Sequence, residues 1–408
     1  MTISTFAAFD LAAPLPRALA DAGFSTPTPI QAEALPPLLV GSDLLGIAQT
    51  GSGKTAAFLL PLLQSLIRAP FRAQPRTTAA LILAPTRELA LQIEESLRRL
   101  GAGQRLRIAI IMGGASRHAQ VRRMAAGVDI VIGTPGRVCD LLAAGELRLD
   151  RVRYFVLDEA DRMLDLGFIR DIRRVLAALP PSGAGGRQSM LFSATMPQEV
   201  ASLAEGLLRD PVRVAIAAAP ATLPKIEQSV HFVPTAGKRA LLGDLLADPA
   251  MARVIVFTRT KHGADRVAIG LAGDGVAVEA LHGNKSQPQR IRALDRFRSG
   301  RARVLVATDI AARGIDVVGV SHVVNFDLPV QAEDYVHRIG RTARAGASGI
   351  AISFCDPAER GALRAIERVA GTRIEVASGE AVAANDAAPA REAPRGRRRR
   401  RFNGRRAA

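Results

Sequence analysis

Acidic residues are scarce here relative to basic ones: 38 Asp+Glu stand against 55 Lys+Arg, a formal charge of +17. An imbalance of that size, carried almost wholly by arginine, points to a polyanionic partner. Cysteine is scarcer still. Cys139 and Cys355 lie far apart with no ligand pattern around either. That argues against disulfides and a zinc site, fits a reducing compartment, and leaves both as small core residues. Long apolar runs are missing too, since nothing approaches the ~18 consecutive residues a membrane-crossing helix needs. The opening Met1-Thr2-Ile3-Ser4-Thr5-Phe6 has neither the basic nor the apolar region of a secretory signal. These absences set a membrane partner aside and lead to the expectation of a cytoplasmic protein. Hydrophobic residues are plentiful, 48% of 408, which excludes a chain disordered throughout and provides for about two or three domains.

The strongest chemical signature is Ala48-Gln49-Thr50-Gly51-Ser52-Gly53-Lys54-Thr55, set between an apolar run (Asp43 to Ile47) and a helical pattern (Ala56 to Leu60). A triphosphate needs backbone N–H groups aimed at its oxygens, a flexible cation for the β/γ-phosphates and a hydroxyl to hold Mg²⁺. Gly51 and Gly53 let the backbone approach, Lys54 is the cation and Thr55 the magnesium hydroxyl. Gln49, Thr50 and Ser52 complete a loop that leads into the positive end of a helix. ATP and Mg²⁺ are the implied cofactors. Ala48 stands where the strict pattern has glycine, so a negative φ is expected there. An ordinary glycine-rich turn would share the composition, but not the strand before it and the helix after it.

From Thr78 onward the same layout repeats: a short apolar run, a polar loop, a helix. Ala80–Ala84 leads into Pro85-Thr86-Arg87-Glu88, Val128–Ile132 into Gly133–Arg137, Tyr154–Leu157 into Asp158–Asp161, and Ser189–Phe192 into Ser193-Ala194-Thr195. Continuous apolar strands alternating with helices argue for a parallel sheet covered on both faces, with ligands at the carboxyl ends of the strands. Residues 217–224 have linker composition. The layout then resumes with Arg253–Phe257, Val278–Leu281 and Arg303–Ala307. The expectation is an α/β chain of two tandem domains, 1–216 and 225–375, each a mostly parallel sheet with helices on both faces. A tail, 376–408, follows and carries the arginine run 395–406. Its like charges repel and bury no core, so it is expected to be disordered and to tether nucleic acid without sequence specificity.

Asp158 and Glu159 follow an apolar strand. Asp158 is placed to reach Mg²⁺, and Glu159 to orient and deprotonate a water attacking the γ-phosphate; a helix N-cap is the plainer alternative for the pair. Ahead of the loop, the Gln31 amide offers the donor and acceptor an adenine edge requires, with Phe6 and Phe24 as stacking faces; a Pro-Thr-Pro capping turn is the plainer alternative there. Arg338, Arg341 and Arg344 come three residues apart and gather guanidinium groups on a helix or its end. Facing a γ-phosphate from outside the loop's own domain, arginines stabilise transition-state charge; a solvated helix face is the alternative.

In this order, the segments resemble the DEAD-box RNA helicases, over about Phe6 to Ala370. The region 4–32 is similar to that family's Q motif, Ala48–Thr55 to its Walker A loop (which there begins with alanine), and Asp158–Asp161 to its Asp-Glu-Ala-Asp box. Pro85–Glu88, Gly113-Gly114 and Thr134–Arg137 are similar to its RNA-contact motifs. Ser193–Thr195 resembles its coupling motif, and Thr308–Asp316 and His337–Arg344 its second-domain signatures. Phe257–Gly263 and His282–Gln287 resemble the bacterial RhlE-type subgroup. Ala343 departs from the commoner glycine, which bears on local backbone geometry.

The resemblance implies two RecA-like domains. It assigns Gln31 to adenine with Phe6 stacking, Gly314 and Asp316 to the nucleotide, with Asp316 on its ribose, and Arg341 and Arg344 to the γ-phosphate. His337 is linked to Asp161 and Ser193-Ala194-Thr195. Pro85, Thr86, Arg87, Gly114, Thr134, Pro135, Gly136, Arg137, Arg259, Gly283 and Thr308 are placed along an RNA path. The implied activity is ATP hydrolysis on binding RNA, with local separation of short duplexes or remodelling of RNA–protein complexes, ribosomal or RNA-decay assemblies among them. Two alternatives stand beside it: a DNA-directed helicase, and a non-catalytic RNA annealing or scaffold protein driven by the basic tail.

Overall fold

The computed structural model describes residues 5–49, 51–182, 186–216, 226–312, 317, 319–343 and 348–379. Thr50, Gly314, Asp316, Arg344, the expected linker and the arginine run lie outside the described residues. In the first half, β1 (Leu44–Ile47), β2 (Thr78–Leu83), β3 (Ile108–Ile111), β4 (Val128–Gly133), β5 (Tyr154–Leu157), β6 (Gln188–Ser193) and β7 (Val212–Ala215) make a seven-stranded sheet in the order β3-β4-β2-β5-β6-β1-β7. In the second half, β8 (Ile226–Phe232), β9 (Val254–Phe257), β10 (Val278–Leu281), β11 (Val304–Ala307), β12 (His322–Asn325), β13 (Gly349–Cys355) and β14 (Glu375–Ser378) make another, ordered β10-β11-β9-β12-β13-β8-β14. Counting each half from its own first strand, the two orders are identical. The repeated layout of the sequence is thus a repeated topology, and every strand pairing in both sheets is parallel.

Strand alternation divides each core into two layers. Ala80 and Ile82 of β2 face one cluster with Phe58, Leu62 and Ile93 from the helices Lys54–Arg68 and Arg87–Leu100. Leu81 and Leu83 face the other, with Val138, Ile172 and Leu203 from the helices Pro135–Ala143, Ile169–Ala177 and Gln198–Leu207. Val254 and Val256 against Ile255 and Phe257 repeat the division in the second sheet. A strand buried on both faces must be apolar at every position, which is why these runs do not alternate with polar residues.

Two boundaries differ from expectation. The second sheet takes in β14, so ordered structure continues past residue 375. β14 pairs with β8 at Glu375↔Ser229 and Val376↔Val230, and its side chains are all exposed. An exposed strand has no apolar pattern to announce it; backbone pairing alone holds it. The helix containing His337 is Ala332–Ile339, so Arg341 follows the helix end and does not continue the face occupied by Arg338.

Because all strands run the same way in register, their carboxyl ends share one edge. Ile47 pairs with Ser193, and Leu83 with both Gly133 and Leu157. Every polar cluster named above in the first half leaves the sheet there.

Candidate functional site

Gly51 and Gly53 have φ of +85° and +97°, in the left-handed region open to glycine, while Ala48 is not among the positive-φ residues, as its Cβ requires. Lys54 opens the following helix, buried, with Nζ donating to the Ala48 carbonyl at 2.8 Å, so the ammonium lies folded over the loop. Ser52 Oγ is buried without a hydrogen-bond partner among the described residues, as suits a loop shaped for oxygens from elsewhere. Thr55 is half-buried beside Lys54. A Cβ on Gly53 would sit 2.5 Å from Gln31 Nε2, so glycine is required where the segment around Gln31 closes on the loop.

Gln31 takes a different position from the one expected of it. It is fully buried, with Nε2 donating to the Gly53 carbonyl at 3.0 Å and Oε1 accepting from the Thr28 N–H at 2.9 Å. Its amide ties the phosphate loop to the cap of its own helix, and none of the side chain is exposed. Phe6 is 8% exposed and packs on Phe9 and Phe24, with ring centroids 6.1 and 6.4 Å away. Most of the ring is covered within this aromatic cluster.

At the end of β5, the Asp158 N–H donates to the Leu83 carbonyl, and Asp158 Oδ1 accepts from the Glu159 N–H at 3.0 Å. Burial pushes the Asp158 carboxyl up to about 7, with Lys54 opposing and Glu159 reinforcing the rise. That is the state expected of a carboxylate built to sit beside a cation. Glu159 has φ +54°, and a left-handed conformation costs a residue with a Cβ about 1–2 kcal/mol. The kink opens the helix Ala160–Asp165 immediately behind it.

Asp161 gathers the coupling segment. Its Oδ2 accepts from the Ala194 N–H (3.1 Å), the Thr195 N–H (2.9 Å) and Thr195 Oγ1 (2.9 Å), while its own N–H donates to Ser193 Oγ at 3.3 Å. His337 of the second half comes close to this cluster. Burial, then Arg162 and Arg341, push its imidazole down to about 4 against the pull of Asp161 and Asp334. His337 is therefore neutral at physiological pH.

The arginine triplet divides. Arg338 is 2% exposed and grips Asp309 with Nε and Nη2 (2.6 and 2.7 Å), reaches Asn325 Oδ1 and the Asp327 carbonyl through Nη1, and lies over Phe257. It is a strut of the second domain and not a phosphate ligand, a correction to the grouping of all three arginines. Arg341, with Nε on the His337 carbonyl at 3.2 Å, lines the gap between the halves together with Arg162, Asp334 and His337.

The expected RNA residues fall into two groups. Arg87 packs into Gly114, where a Cβ would lie 2.1 Å from its Nη1; Gly114 has φ +75°. Burial, Arg290 and Arg137 all depress the Arg87 guanidinium, which marks a crowded basic patch. Arg137 Nη1 donates to the Ala115 carbonyl at 3.2 Å, fastening the glycine turn. Thr86 caps the helix that carries Arg87 by accepting from the Leu89 N–H, Thr134 takes the N-cap position of the helix that carries Arg137 without a side-chain bond, and Pro85, Pro135 and Gly136 lie in the same turns. In the second half, Gly283 has open space around it and Thr308 is half-buried. Arg259 is engaged elsewhere: its Nη2 pairs with Glu359 and its N–H with Asp327, in a network that also holds the fully buried Lys238.

Sequence reasoning missed the contacts that join the halves. Arg290 Nε meets Glu88 Oε1 at 2.8 Å, with side chains 11% and 5% exposed, and Arg87 Nη1 donates to Gln287 Oε1 at 3.3 Å. Glu88 and Gln287 lay inside the quoted segments, but nothing in either segment names a partner some 200 residues away.

Comparison with known proteins follows the same outline. Residues 28–203 match the DEAD/DEAH box helicase family and residues 237–346 the helicase conserved C-terminal domain. The chain is 42% identical over 373 residues to the DEAD-box ATP-dependent RNA helicase CshA of Geobacillus kaustophilus, covering 91% of this chain and 78% of that protein. It is 46% identical over 375 residues to the RNA helicase CrhR of Synechocystis sp., covering 91% and 74%. Among solved structures, S. cerevisiae Dbp5 bound to RNA and ADP BeF3 superposes with a TM-score of 0.81 at 34% identity, over 92% of this chain and 95% of that one.

Proposed function

This chain belongs to the DEAD-box ATP-dependent RNA helicase family, and from that premise we propose that it hydrolyses ATP when RNA is bound and uses the cycle to separate short duplexes or remodel RNA–protein complexes. The observation that carries the proposal is that the halves meet at two places along the loop-bearing edge. Arg341 and His337 face Asp161 and Arg162, while Gln287 and Arg290 meet Arg87 and Glu88. Nucleotide and RNA sites that both draw on the two halves are reciprocally coupled, because each ligand favours the same closed arrangement.

In the nucleotide site, Lys54 is the cation for the β/γ-phosphates, and Thr55 and Asp158 are the residues that would hold magnesium. Bound there, the metal would supply Lewis-acid stabilisation of the transferring phosphoryl group. Glu159 orients the attacking water and accepts its proton, and Arg341, with Arg344 beyond it in sequence, neutralises charge from the second domain. Asp161 carries the state of the site to Ser193-Ala194-Thr195. Arg87, Arg137 and the turn at Gly114 grip the RNA backbone. A surface of this kind reads single strands and backbone shape rather than base sequence.

The blocks at 257–263 and 282–287 support assignment to the RhlE-type subgroup, and the arginine-rich composition supports phosphate-led RNA binding with little sequence selectivity. Steady-state ATPase with no nucleic acid, single-stranded RNA or duplex DNA tests the proposal. Strong stimulation by RNA and little by DNA is expected, with Glu159→Gln trapping an ATP-bound, RNA-clamped state. Equal stimulation by duplex DNA would replace it with a DNA-directed motor. RNA annealing that survives Lys54→Ala but not removal of residues 380–408 would favour the scaffold alternative.

A further inference from the structure

Gly283, expected on the RNA path, and Gln287, which meets the first domain, lie on one short loop and the helix start that follows it, and the strand that delivers them has little support. β10 is an edge strand that, among the described residues, pairs with β11 alone, and its Val278, Glu279 and Ala280 are only half-buried. A loop leaving such an edge has a neighbouring strand on one side only, so main-chain pairing does not fix its path. The next helix, Gln287–Arg298, has its apolar anchors Leu294 and Phe297 in its second half. Its first turn, which carries Gln287 and Arg290, takes its position from the loop.

That loop is held from the side by the helix Lys261–Gly273. Asp265 Oδ1 meets His282 Nε2 at 2.9 Å and Lys285 Nζ at 2.9 Å. One turn earlier on the same helix, Lys261 Nζ donates to Asn284 Oδ1 at 3.0 Å. Opposite a carboxylate, His282 Nε2 is the protonated ring nitrogen. Burial works against the charge on Asp265, but the bonds from Lys285 and His282 outweigh it and hold the carboxyl below its ordinary range. An ion pair between two solvated side chains contributes little. Here the imidazole is 1% exposed, so the carboxylate joins a buried ring to the loop's exposed outer end.

We infer that Asp265 is a positioning residue for RNA: by tying His282 and Lys285 to one helix it fixes the loop 282–286, so that Gly283 meets the RNA backbone in the same arrangement in which Gln287 and Arg290 meet Arg87 and Glu88. The inference rests on the RNA-dependent function proposed above and adds to it a support for the second domain's share of the RNA site. Asp265 acts through the loop and not on the ligand. Its charge gives the inference a definite sign. An acid beside the path of a polyanion opposes binding, so on electrostatics alone its removal strengthens the hold on RNA. Positioning predicts the opposite.

The test is binding of a fluorescein-labelled single-stranded RNA to the full chain with a non-hydrolysable ATP analogue, read by anisotropy, alongside RNA-saturated ATPase. The proteins are wild type, Asp265→Ala, Asp265→Asn, Gln287→Ala and the double variant Asp265→Ala/Gln287→Ala. Asp265→Ala is expected to weaken RNA binding about tenfold, the scale of one charge-assisted hydrogen bond. Its kcat at saturating RNA should fall by no more than about twofold, because excess RNA restores the closed arrangement. Asp265→Asn keeps the side-chain shape and an accepting oxygen, guards against a folding defect, and should weaken binding in the same direction by less. The double variant should lose less than the product of the two single losses, since both act through one loop. Unchanged or tighter RNA binding in Asp265→Ala, or losses that multiply fully in the double variant, would overturn the inference. Wild-type RNA binding without RNA-stimulated turnover would instead overturn the ATPase function, with the role of Asp265 still decided by the binding measurement.

Discussion

The phosphate loop of the first domain and the arginine stretch of the second, which we propose meet the same anion, are specified in opposite ways. In the loop, the chemistry is carried by backbone: Gly51 and Gly53 at positive φ, and Lys54 at the head of a helix, all within a few consecutive residues. In the arginine stretch it is carried by side chains that begin alike and end differently. Arg338 and Arg341 are three residues apart, yet one is clamped by Asp309, Asn325 and Asp327 and the other faces the cleft. A site made of main chain is specified by whichever residues permit its φ and ψ. A site made of side chains depends on which acids the fold brings within reach.

The largest effects should test that division directly. Arg341→Ala is expected to reduce RNA-stimulated turnover about 10³-fold with little change in the denaturant midpoint, as for loss of an arginine finger. If turnover survives on RNA-saturated enzyme, Arg341 does not reach the γ-phosphate. Arg338→Ala should do the reverse, removing a buried bidentate pair and destabilising the second domain by about 3 kcal/mol in urea unfolding. Loss of turnover with undiminished stability in Arg338→Ala would return that residue to the phosphate group and erase the contrast.

A smaller effect belongs to the first domain and depends on pH. The folded-state pKa of Asp158, about 7, lies above its unfolded value of 3.8, so the folded chain binds the extra proton. The contribution of this group to stability is complete below pH ~4 and is lost as pH rises through ~7. Asp158→Asn removes that dependence. In the nucleotide-free chain, the stability difference should widen in favour of the asparagine variant between about pH 5 and pH 8, reaching on the order of 3 kcal/mol. A difference that is flat across this range would show the carboxylate to be ionised throughout.

The smallest effect lies beside Arg341. Ala343 is buried with φ +54°, where the commoner glycine of related chains would sit without strain. Ala343→Gly should raise stability by up to about 1 kcal/mol, read from the thermal midpoint. A loss of stability would mean that the packing of its methyl group outweighs the backbone strain.

Legibility in the sequence followed burial. β5, β9 and β2 from Ala79 onward stand out as unbroken apolar runs because each is covered on both faces. β8, with Glu227, Gln228 and His231 only partly covered or exposed, and the exposed β14 carry no such mark, and their pairing is a property of the backbone. The same holds at the site. Asp158–Asp161 and Ser193–Thr195 were recognisable as separate segments, and the fold supplied the bonds from Asp161 that join them. Glu88 with Arg290, Arg259 with Glu359 and Arg162 beside His337 and Arg341 left no trace in the one-dimensional pattern, since each depends on residues remote in the chain.

What the sequence determined alone is therefore the local part: two repeats of strand, loop and helix, a phosphate loop made possible by two glycines, and a charge that demands a polyanion. Local backbone preference and hydrophobic period are short-range, and a single chain displays them openly. The tertiary structure decided which arginine is a strut and which faces the cleft, why the Gln31 amide closes on Gly53, and where one domain touches the other. Those outcomes turn on distances between residues that only folding brings together.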